Sequence, residues 1–202
     1  MTCSCDAISS CRVDLERARD AATPGLTVIV GSEVRTAQGD LIALFLERPI
    51  TAGLPASEAI AAIRDQGGLV GIPHPFDGWR GSLLRDEAAL SLLSEVDWIE
   101  GWNARLVAPG GNQRAAELAV SRGIPSVAAS DAHTLLEIGG AATIMTGDLS
   151  TAAGFHSALH GDLTRITGRG ALVARLFTPI AKLVNATRGN RRVSPGVTFG
   201  ER

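Results

Sequence analysis

Asp131 and His133 are the residues whose types and spacing point most directly to chemistry. They occur in the stretch AASDAHT, directly after an apolar run at residues 124–127. In an extended chain the side chains at positions i and i+2 point to the same side, so this carboxylate and this imidazole can reach one object. A divalent metal ion is the obvious candidate, because both groups are common metal ligands.

Three other predicted strand ends also carry polar side chains. They are Glu33 after residues 26–30, His74 after residues 69–72, and Glu100, Asn103 and Arg105 after residues 96–99. Where strands alternate with helices, the working residues gather at the carboxyl ends of the strands. Imidazole and carboxylate together suit Mn, Fe or Zn better than Ca, which prefers oxygen alone, and Mg is a further option. The four strand ends together predict a divalent metal site.

Each candidate also has an ordinary structural explanation. Glu33 taken alone is typical of a hairpin charge, His74 between two prolines is typical of a structural hydrogen-bonding residue, and Asp131 is typical of a cap. Their occurrence at equivalent ends of successive strands favours the metal site over separate structural roles.

The elements that must position these residues are short apolar strands alternating with helices of about ten residues. Strands are predicted at residues 26–30, 69–72, 96–99, 126–129 and 141–145. Helices are predicted at residues 13–22, 55–66, 83–93, 112–122 and 150–160, and a hairpin at residues 33–45 with Gln38-Gly39-Asp40 at its turn. In the second helix we expect Ser57 to be the cap and Ile60 and Ile63 to face inward. This alternation predicts an α/β fold in which helices cover a parallel sheet or barrel.

The composition indicates one globular domain. Of the 202 residues, 45% are hydrophobic, 20% charged and 4% aromatic, with no Tyr, so an aromatic-rich recognition surface is not expected. No apolar run approaches the roughly 20 residues that a membrane span needs, and the N-terminus lacks the features of a secretory signal. We therefore expect a cytoplasmic protein. Three cysteines in the first eleven residues do not form a disulfide framework.

The net charge of −2 hides an asymmetry along the chain. Residues 164–202 carry eight basic residues and one acidic residue, a balance of +7, which leaves −9 for the rest. A basic tail can contact nucleic acid or anionic lipid, and the apolar segment 171–184 could form a helix at a membrane surface. Packing of the tail against the acidic body is the favoured interpretation.

Four stretches resemble successive motifs of the PHP family, named for polymerase and histidinol phosphatase, and in particular its stand-alone metal-dependent phosphoesterase branch. They are GSEV…GDLIALFL, GLVGIPHPFD, DWIEGWNAR and SVAASDAHTLLEIG. The resemblance implies a distorted seven-stranded (β/α) barrel that binds up to three divalent metals at its C-terminal face and hydrolyses phosphoesters. It implies that Glu33, His74, Asp131 and His133 are metal ligands and catalytic residues. It also implies that Glu100, Asn103 and Arg105 line the same mouth and contact substrate, with Asn103 near a position that is a histidine ligand in some relatives.

The chain departs from the family pattern at its N-terminus. Family members begin with a His-x-His strand end and a Thr-Asp-His motif, whereas the four histidines here are His74, His133, His156 and His160. We therefore expect a barrel that lacks its first β-α unit and has an open edge. The predicted domains are an atypical segment 1–25, a PHP-like barrel 26–163 and a basic helix or tail 164–202. Replacement of His-x-His by Cys3-Ser4-Cys5 is disfavoured, because only 27 residues separate Cys5 from Glu33. A full β-α-β unit alone needs about 30 or more, and a Thr-Asp-His segment would have to fit as well.

His156 and His160 lie four residues apart on a predicted helix, the spacing of many metal-binding pairs. No glutamate accompanies them in the position that a zinc-protease motif requires, so an exposed helix face is the favoured interpretation.

The function predicted from these observations is hydrolysis of a phosphate ester by metal-activated water, with activity reduced by the missing ligands. The substrate class is a small phosphorylated molecule or nucleotide, with nucleic acid only as a substrate. One alternative is a non-catalytic, truncated PHP-like protein that binds one metal. A second is an interaction protein that uses its basic tail. The oligomeric state stays open.

Overall fold

The computed structural model describes residues 3–4, 24–78, 81–83, 87–107, 110–133 and 135–169. In these ranges the strands are β1 Cys3–Ser4, β2 Gly31–Arg35, β3 Asp40–Leu44, β4 Leu69–Ile72, β5 Trp98–Asn103, β6 Ser126–Ala129, β7 Ala142–Ile144 and β8 Thr164–Ile166. The α-helices are α1 Ala56–Arg64, α2 Gly111–Arg122 and α3 Ala152–Leu159. Two 3₁₀ helices span Glu87–Glu95 and Leu135–Glu137. None of the helices in the described ranges is both long and apolar enough to cross a bilayer.

Strands β1 to β6 form one sheet in chain order. Strand β1 is parallel to β2, β3 is antiparallel to both of its neighbours, and β4, β5 and β6 are parallel. The sheet is therefore mixed, because the β2–β3 hairpin reverses the chain once before the parallel part begins.

Alternation along the hairpin gives the sheet two apolar faces. Val34 and Leu41 are paired, and both lie in a core that also contains Ile60 and Ile63 of α1. On the other face Ile42 packs in a second cluster with residues from β4, β5 and α3. The inward orientation predicted for the two isoleucines of α1 is confirmed.

Helix α1 begins at Ala56 without the predicted cap at Ser57. Its N-cap residue is Pro55, which has no side-chain cap bond. The backbone N of Ala56 instead donates to Oε1 of Gln38 in the hairpin turn, at 2.8 Å. A side chain from another element thus satisfies one of the N–H groups that have no partner within the helix.

The strand predicted at residues 26–30 is wrong. Leu26 makes only an isolated bridge and is 58% exposed, and residues 27–30 lie in no strand. Strand β2 begins at Gly31, where pairing with Leu44 starts. A strand requires a partner, and β3 provides one only from this residue onward. Glu33 consequently lies inside a strand rather than after one.

The strand predicted at residues 96–99 is displaced toward the C-terminus. Strand β5 runs from Trp98 to Asn103 because it pairs with β6 as far as the Asn103–Ala129 pair. Glu100 and Asn103 therefore lie within the strand. The helix predicted at residues 83–93 is a 3₁₀ helix over Glu87–Glu95. The strands predicted at residues 69–72 and 126–129 are confirmed at both ends.

The described strands do not close into a barrel. Strands β7 and β8 form a separate antiparallel pair beside β6. The hydroxyl of Thr143 accepts from the backbone N of Ala128 at 2.7 Å and donates to its carbonyl O at 3.0 Å. A side chain thus occupies the ladder position where backbone pairing would continue. The chain has a mixed α/β fold, and its described residues do not show the seven-stranded closure.

Strand β1 pairs with the edge of β2 that we expected to be open. Its register places Cys3 beside Ser32 and Ser4 beside Glu33. The helix predicted at residues 13–22, the segment 171–184 and most of the basic tail lie outside the described residues. The first three residues of that predicted tail form β8.

Candidate metal centre

Glu33, Asp40 and His74 place three potential ligand atoms within 4.8 Å of one another. The hairpin register explains the first two. Asp40 of β3 pairs with Arg35 of β2, and Arg35 lies two residues from Glu33 on the same strand. The side chains of Glu33, Arg35 and Asp40 therefore point to the same face of the sheet. His74 comes from the segment after β4, and its Nε2 lies 3.0 Å from Oε1 of Glu33.

These three residues fit a divalent transition metal. Nε2 of His74 and Oε1 of Glu33 are 3.0 Å apart, and all three ligand atoms lie within 4.8 Å of one another, so the three residues form a group that could hold one ion. One imidazole and two carboxylates suit Zn, Mn or Fe. His74 and Asp40 are buried, whereas the side chain of Glu33 is 26% exposed, so the trio opens to solvent on one side.

Two site residues have strained backbones. In the described ranges positive φ angles of non-glycine residues occur at Phe45, His74 (28°) and Asp131 (50°). Such conformations cost on the order of 1–3 kcal/mol each and cluster at functional sites, where the surroundings enforce them. For His74 the surroundings include a bond from its backbone N to Oε2 of Glu100, at 3.0 Å.

A bulge in β5 brings Glu100 and Asn103 to the same face of the sheet. Glu100 pairs with Val127, and Trp102 pairs with Ala128, so Gly101 is the extra residue. Without a bulge, residues three apart would point to opposite faces. Here the Nδ2 of Asn103 donates to Oε2 of Glu100 at 2.8 Å. A side chain at Gly101 would overlap the hydroxyl of Ser126 unless that hydroxyl moved, so the close packing at this bulge favours glycine.

Asn103 connects the two halves of the site. Its Nδ2 also donates to Oδ2 of Asp131 at 3.1 Å, and its Oδ1 accepts from the backbone N of Arg105 at 2.9 Å. Because a backbone N can only donate, the amide oxygen must face Arg105 and the amide nitrogen must face the carboxylates. Asn103 is thus a donor to Glu100 and Asp131.

Asp131 and His133 lie in the loop after β6 and form a second pair. Nδ1 of His133 is 3.5 Å from Oδ1 of Asp131 and 3.0 Å from its backbone O. The imidazole is 47% exposed. In the described residues this pair is not part of the cluster formed by Glu33, Asp40 and His74, to which Asn103 and Glu100 connect it.

Burial raises the pKa of two carboxyl groups in this network. The pKa of Glu100 rises to about 7, chiefly because burial disfavours its charged form, and the bond from Asn103 opposes that rise. Burial also raises the pKa of Asp40, and the negative charge of Glu33 adds to the effect. Perturbed carboxyl groups of this kind are typical of functional sites.

Arg105 lies at the edge of the site beside a buried acid. Its guanidinium Nη1 is 3.6 Å from Oε1 of Glu137, and its side chain is 11% exposed. Sequence reasoning missed both Asp40 and Glu137. Counting the hairpin register would have placed Asp40 on the face of Glu33, whereas no local pattern connects Glu137 to Arg105. His156 lies on α3 and His160 is the C-cap residue of that helix, outside this network, and the side chain of His156 is half exposed.

Residues 109–162 match the family model described as PHP-associated. The chain is 36% identical over 116 residues to an uncharacterized protein of Methanocaldococcus jannaschii, which covers 56% of this chain and 49% of that protein. It is 46% identical over 52 residues to a second uncharacterized protein of the same organism, covering 26% of this chain and 30% of the other. The chain thus spans about half or less of these relatives.

Two solved structures share the fold. One is a two-domain protein of Bacteroides vulgatus that contains a predicted PHP-like metal-dependent phosphoesterase, with TM-score 0.58, 20% identity and coverage of 80% of this chain and 50% of that chain. The other is PsfC of Pseudomonas syringae, with TM-score 0.52, 20% identity and coverage of 78% and 65%.

Proposed function

We propose that this chain is a metal-dependent phosphoesterase of the PHP type, because residues 109–162 match the PHP-associated family model. The observation that carries the proposal is the cluster of Glu33, Asp40 and His74, whose ligand atoms lie within 4.8 Å of one another. A structural neighbour in Bacteroides vulgatus contains a predicted PHP-like metal-dependent phosphoesterase. The chemistry of the donors and the resemblance in fold thus favour the same reaction class.

Glu33, Asp40 and His74 would hold a divalent ion, which we take to be Mn, Fe or Zn. A bound divalent ion supplies a water of lowered pKa and neutralises charge on phosphoryl oxygens. Asp131 and His133 are proposed ligands of a second ion or binding residues of the same mouth, because Asn103 ties Asp131 to the buried network.

Glu100 and Asn103 are proposed to position other residues of the site. Glu100 is 4% exposed and accepts from the backbone of His74, so we assign it to positioning of that imidazole rather than to direct substrate contact. Asn103 would keep the carboxylate of Asp131 in place through its amide nitrogen. The hydrogen bond from Asn103 to Glu100 couples these two positioning roles.

Arg105 is the proposed phosphate-binding residue. A guanidinium presents several donors in a planar fork that matches phosphoryl oxygens. The proposal is supported by Glu137, which contacts both the guanidinium of Arg105 and the backbone N of His133 in the loop after β6. The substrate is proposed to be a small phosphate ester or nucleotide. Nucleic acid is proposed only as a substrate and not as a binding partner. A cytoplasmic location stays a prediction.

The test is turnover of p-nitrophenyl phosphate and bis-p-nitrophenyl phosphate in Mn²⁺ by the full chain. We expect Glu33→Gln to lower the rate about 100-fold or more, because removal of a metal-held water abolishes the nucleophile. Glu117→Gln is the matched control, since Glu117 lies on α2 and bonds only to exposed Gln113 among the contacts described.

Equal rates for the wild type and Glu33→Gln would reject the proposal. If neither protein turns over either ester, the alternative of a non-catalytic PHP-like protein that binds one metal gains support. The specific observation in its favour is that only three ligands of the described chain cluster around one point. The interaction role of the basic tail rests on residues that lie almost wholly outside the described ranges.

A further inference from the structure

Glu137 is a buried carboxylate between the two strand-end loops of the candidate centre. It is the last residue of the 3₁₀ helix Leu135–Glu137 and is 1% exposed. Its Oε2 accepts from the backbone N of His133 at 3.0 Å, and its Oε1 lies 3.6 Å from Nη1 of Arg105. A buried carboxylate is costly unless it is paired and hydrogen-bonded, so a residue that needed only packing would not be an acid here.

Both partners of Glu137 belong to segments that Asn103 also holds. Asn103 bonds to the side chain of Asp131 and to the backbone of Arg105. Glu137 bonds to the backbone of His133 and faces the guanidinium of Arg105. The loop between them contains Asp131 in a left-handed backbone conformation, which persists only where the surroundings enforce it. Glu137 and Asn103 thus hold the same two segments from two sides.

We infer that Glu137 is a positioning residue that aligns the guanidinium of Arg105 with the metal-ligand loop for binding of a phosphoryl group. The inference deepens the proposed function and rests on it, because it assigns Arg105 to the phosphate. Glu137 itself touches no substrate. It fixes the direction of the guanidinium fork while its second oxygen holds the backbone of His133, so the anion-binding group and the ligand loop move together.

The direction in which phosphate affinity changes distinguishes a positioning role of Glu137 from a purely electrostatic role. A carboxylate beside Arg105 repels a phosphate, so its removal alone would tighten phosphate binding. A guanidinium that loses its orienting partner binds the anion less well, because more freedom must be lost on binding. Glu137→Gln tests this directly. Glutamine retains a carbonyl oxygen for the backbone N of His133. The carboxylate oxygen that faces Arg105 becomes an uncharged amide NH2, which cannot accept from the guanidinium.

The experiment measures the affinity of inorganic phosphate for the full chain by calorimetry, in Mn²⁺ and again in chelator. The variants are Glu137→Gln, Arg105→Ala and the double variant. We expect each single variant to weaken binding about tenfold, the loss of one charge-assisted contact. The double variant should bind no more weakly than Arg105→Ala, because Glu137 acts through that residue. The metal content of Glu137→Gln should equal that of the wild type.

Asp97→Asn is the matched control for loss of a buried acid. Asp97 is also buried, pairs with an arginine through Nη1 of Arg64 at 2.7 Å, and accepts from a backbone N, that of Val70. It precedes β5 at the end opposite Asn103. This variant should lower the melting temperature and leave phosphate affinity unchanged.

Three results overturn the inference. They are tighter or unchanged phosphate binding by Glu137→Gln, a further loss in the double variant, and no phosphate binding by the wild type. Ester turnover is scored separately. If the chain hydrolyses esters but the phosphate affinities of the single and double variants differ from those expected, the proposed function stands and this inference fails. If the affinities are as expected but no ester is hydrolysed, this inference stands and the proposed function fails.

Discussion

At the scale of single residues, Asn103 lets two carboxylates lie close together. Its one amide nitrogen donates to both Glu100 and Asp131, at 2.8 and 3.1 Å. The negative charge of Asp131 contributes to the raised pKa of Glu100. A shared donor offsets part of that rise. The buried network is therefore sensitive to the protonation of Glu100.

Glu100 makes the stability of the metal-free chain depend on pH. Its pKa is about 7 in the folded chain, above an ordinary value of 4.5, so between these values the folded state binds more protons than the unfolded state. Stability must therefore fall as pH rises through this window. Glu100→Gln removes the effect, so its advantage over the wild type should grow from pH 4.5 to pH 7 by up to about 3 kcal/mol.

Urea unfolding in chelator from pH 4.5 to 8 measures this advantage. The control is Glu117→Gln, which removes one carboxylate from an exposed helix face. Parallel pH profiles for Glu100→Gln and the wild type would contradict the predicted linkage.

At the scale of elements, the β5 bulge determines which side chains meet. It carries Glu100 and Asn103 to the same face, and β-bulges commonly re-aim side chains in this way next to active sites. The bulge depends on the close approach of Gly101 to β6, where a side chain would overlap the hydroxyl of Ser126. One glycine therefore controls the link between the two halves of the site.

Gly101→Ala should destabilise the chain by about 1–3 kcal/mol through overpacking and should also weaken Mn²⁺ binding. Thermal unfolding and calorimetry measure the two effects. Gly78→Ala is the matched control, because a side chain there meets no atom within 4 Å. Adding Ser126→Ala should recover part of the loss, and no recovery would show that the overlap with that hydroxyl is not the cause.

At the scale of the whole molecule, the site joins the antiparallel and parallel parts of the sheet. Glu33 and Asp40 come from the hairpin, and His74 follows β4. Glu100 and Asn103 lie in β5, and the loop after β6 completes the network. A metal that binds only the folded chain stabilises all of it, by roughly 2.7 kcal/mol at 100 times the dissociation constant.

Mn²⁺ should therefore raise the melting temperature of the wild type but not that of His74→Ala. Because Asp131 and His133 lie outside the three-residue cluster, the variant Asp131→Ala/His133→Ala should retain one equivalent of metal. His156→Ala, at a half-exposed histidine of α3, is the control. Mass spectrometry measures the metal content of each protein. A metal-free double variant would show that the three-residue cluster and the pair of Asp131 and His133 bind the same ion.

Part of this fold and site could be predicted because the signal is local. The apolar runs at Leu69–Ile72 and Ser126–Ala129 were placed correctly, since a buried strand is readable from its own residues. The chemical type of His74 and Asp131 at the ends of these strands was readable for the same reason. The apolar run at residues 26–30 misled, because a strand also needs a partner, and pairing with β3 begins only at Gly31.

The sequence by itself determined which ligand types stand beside which apolar segments, and the motifs that resemble those of the PHP family. Only the tertiary structure decided that Asp40 joins Glu33 and His74, that Glu100 faces Asn103, and that Glu137 faces Arg105. These contacts depend on strand register, on one bulge and on pairs more than 30 residues apart. The free energy that selects them is shared among distant segments, and no local stretch of the chain contains it.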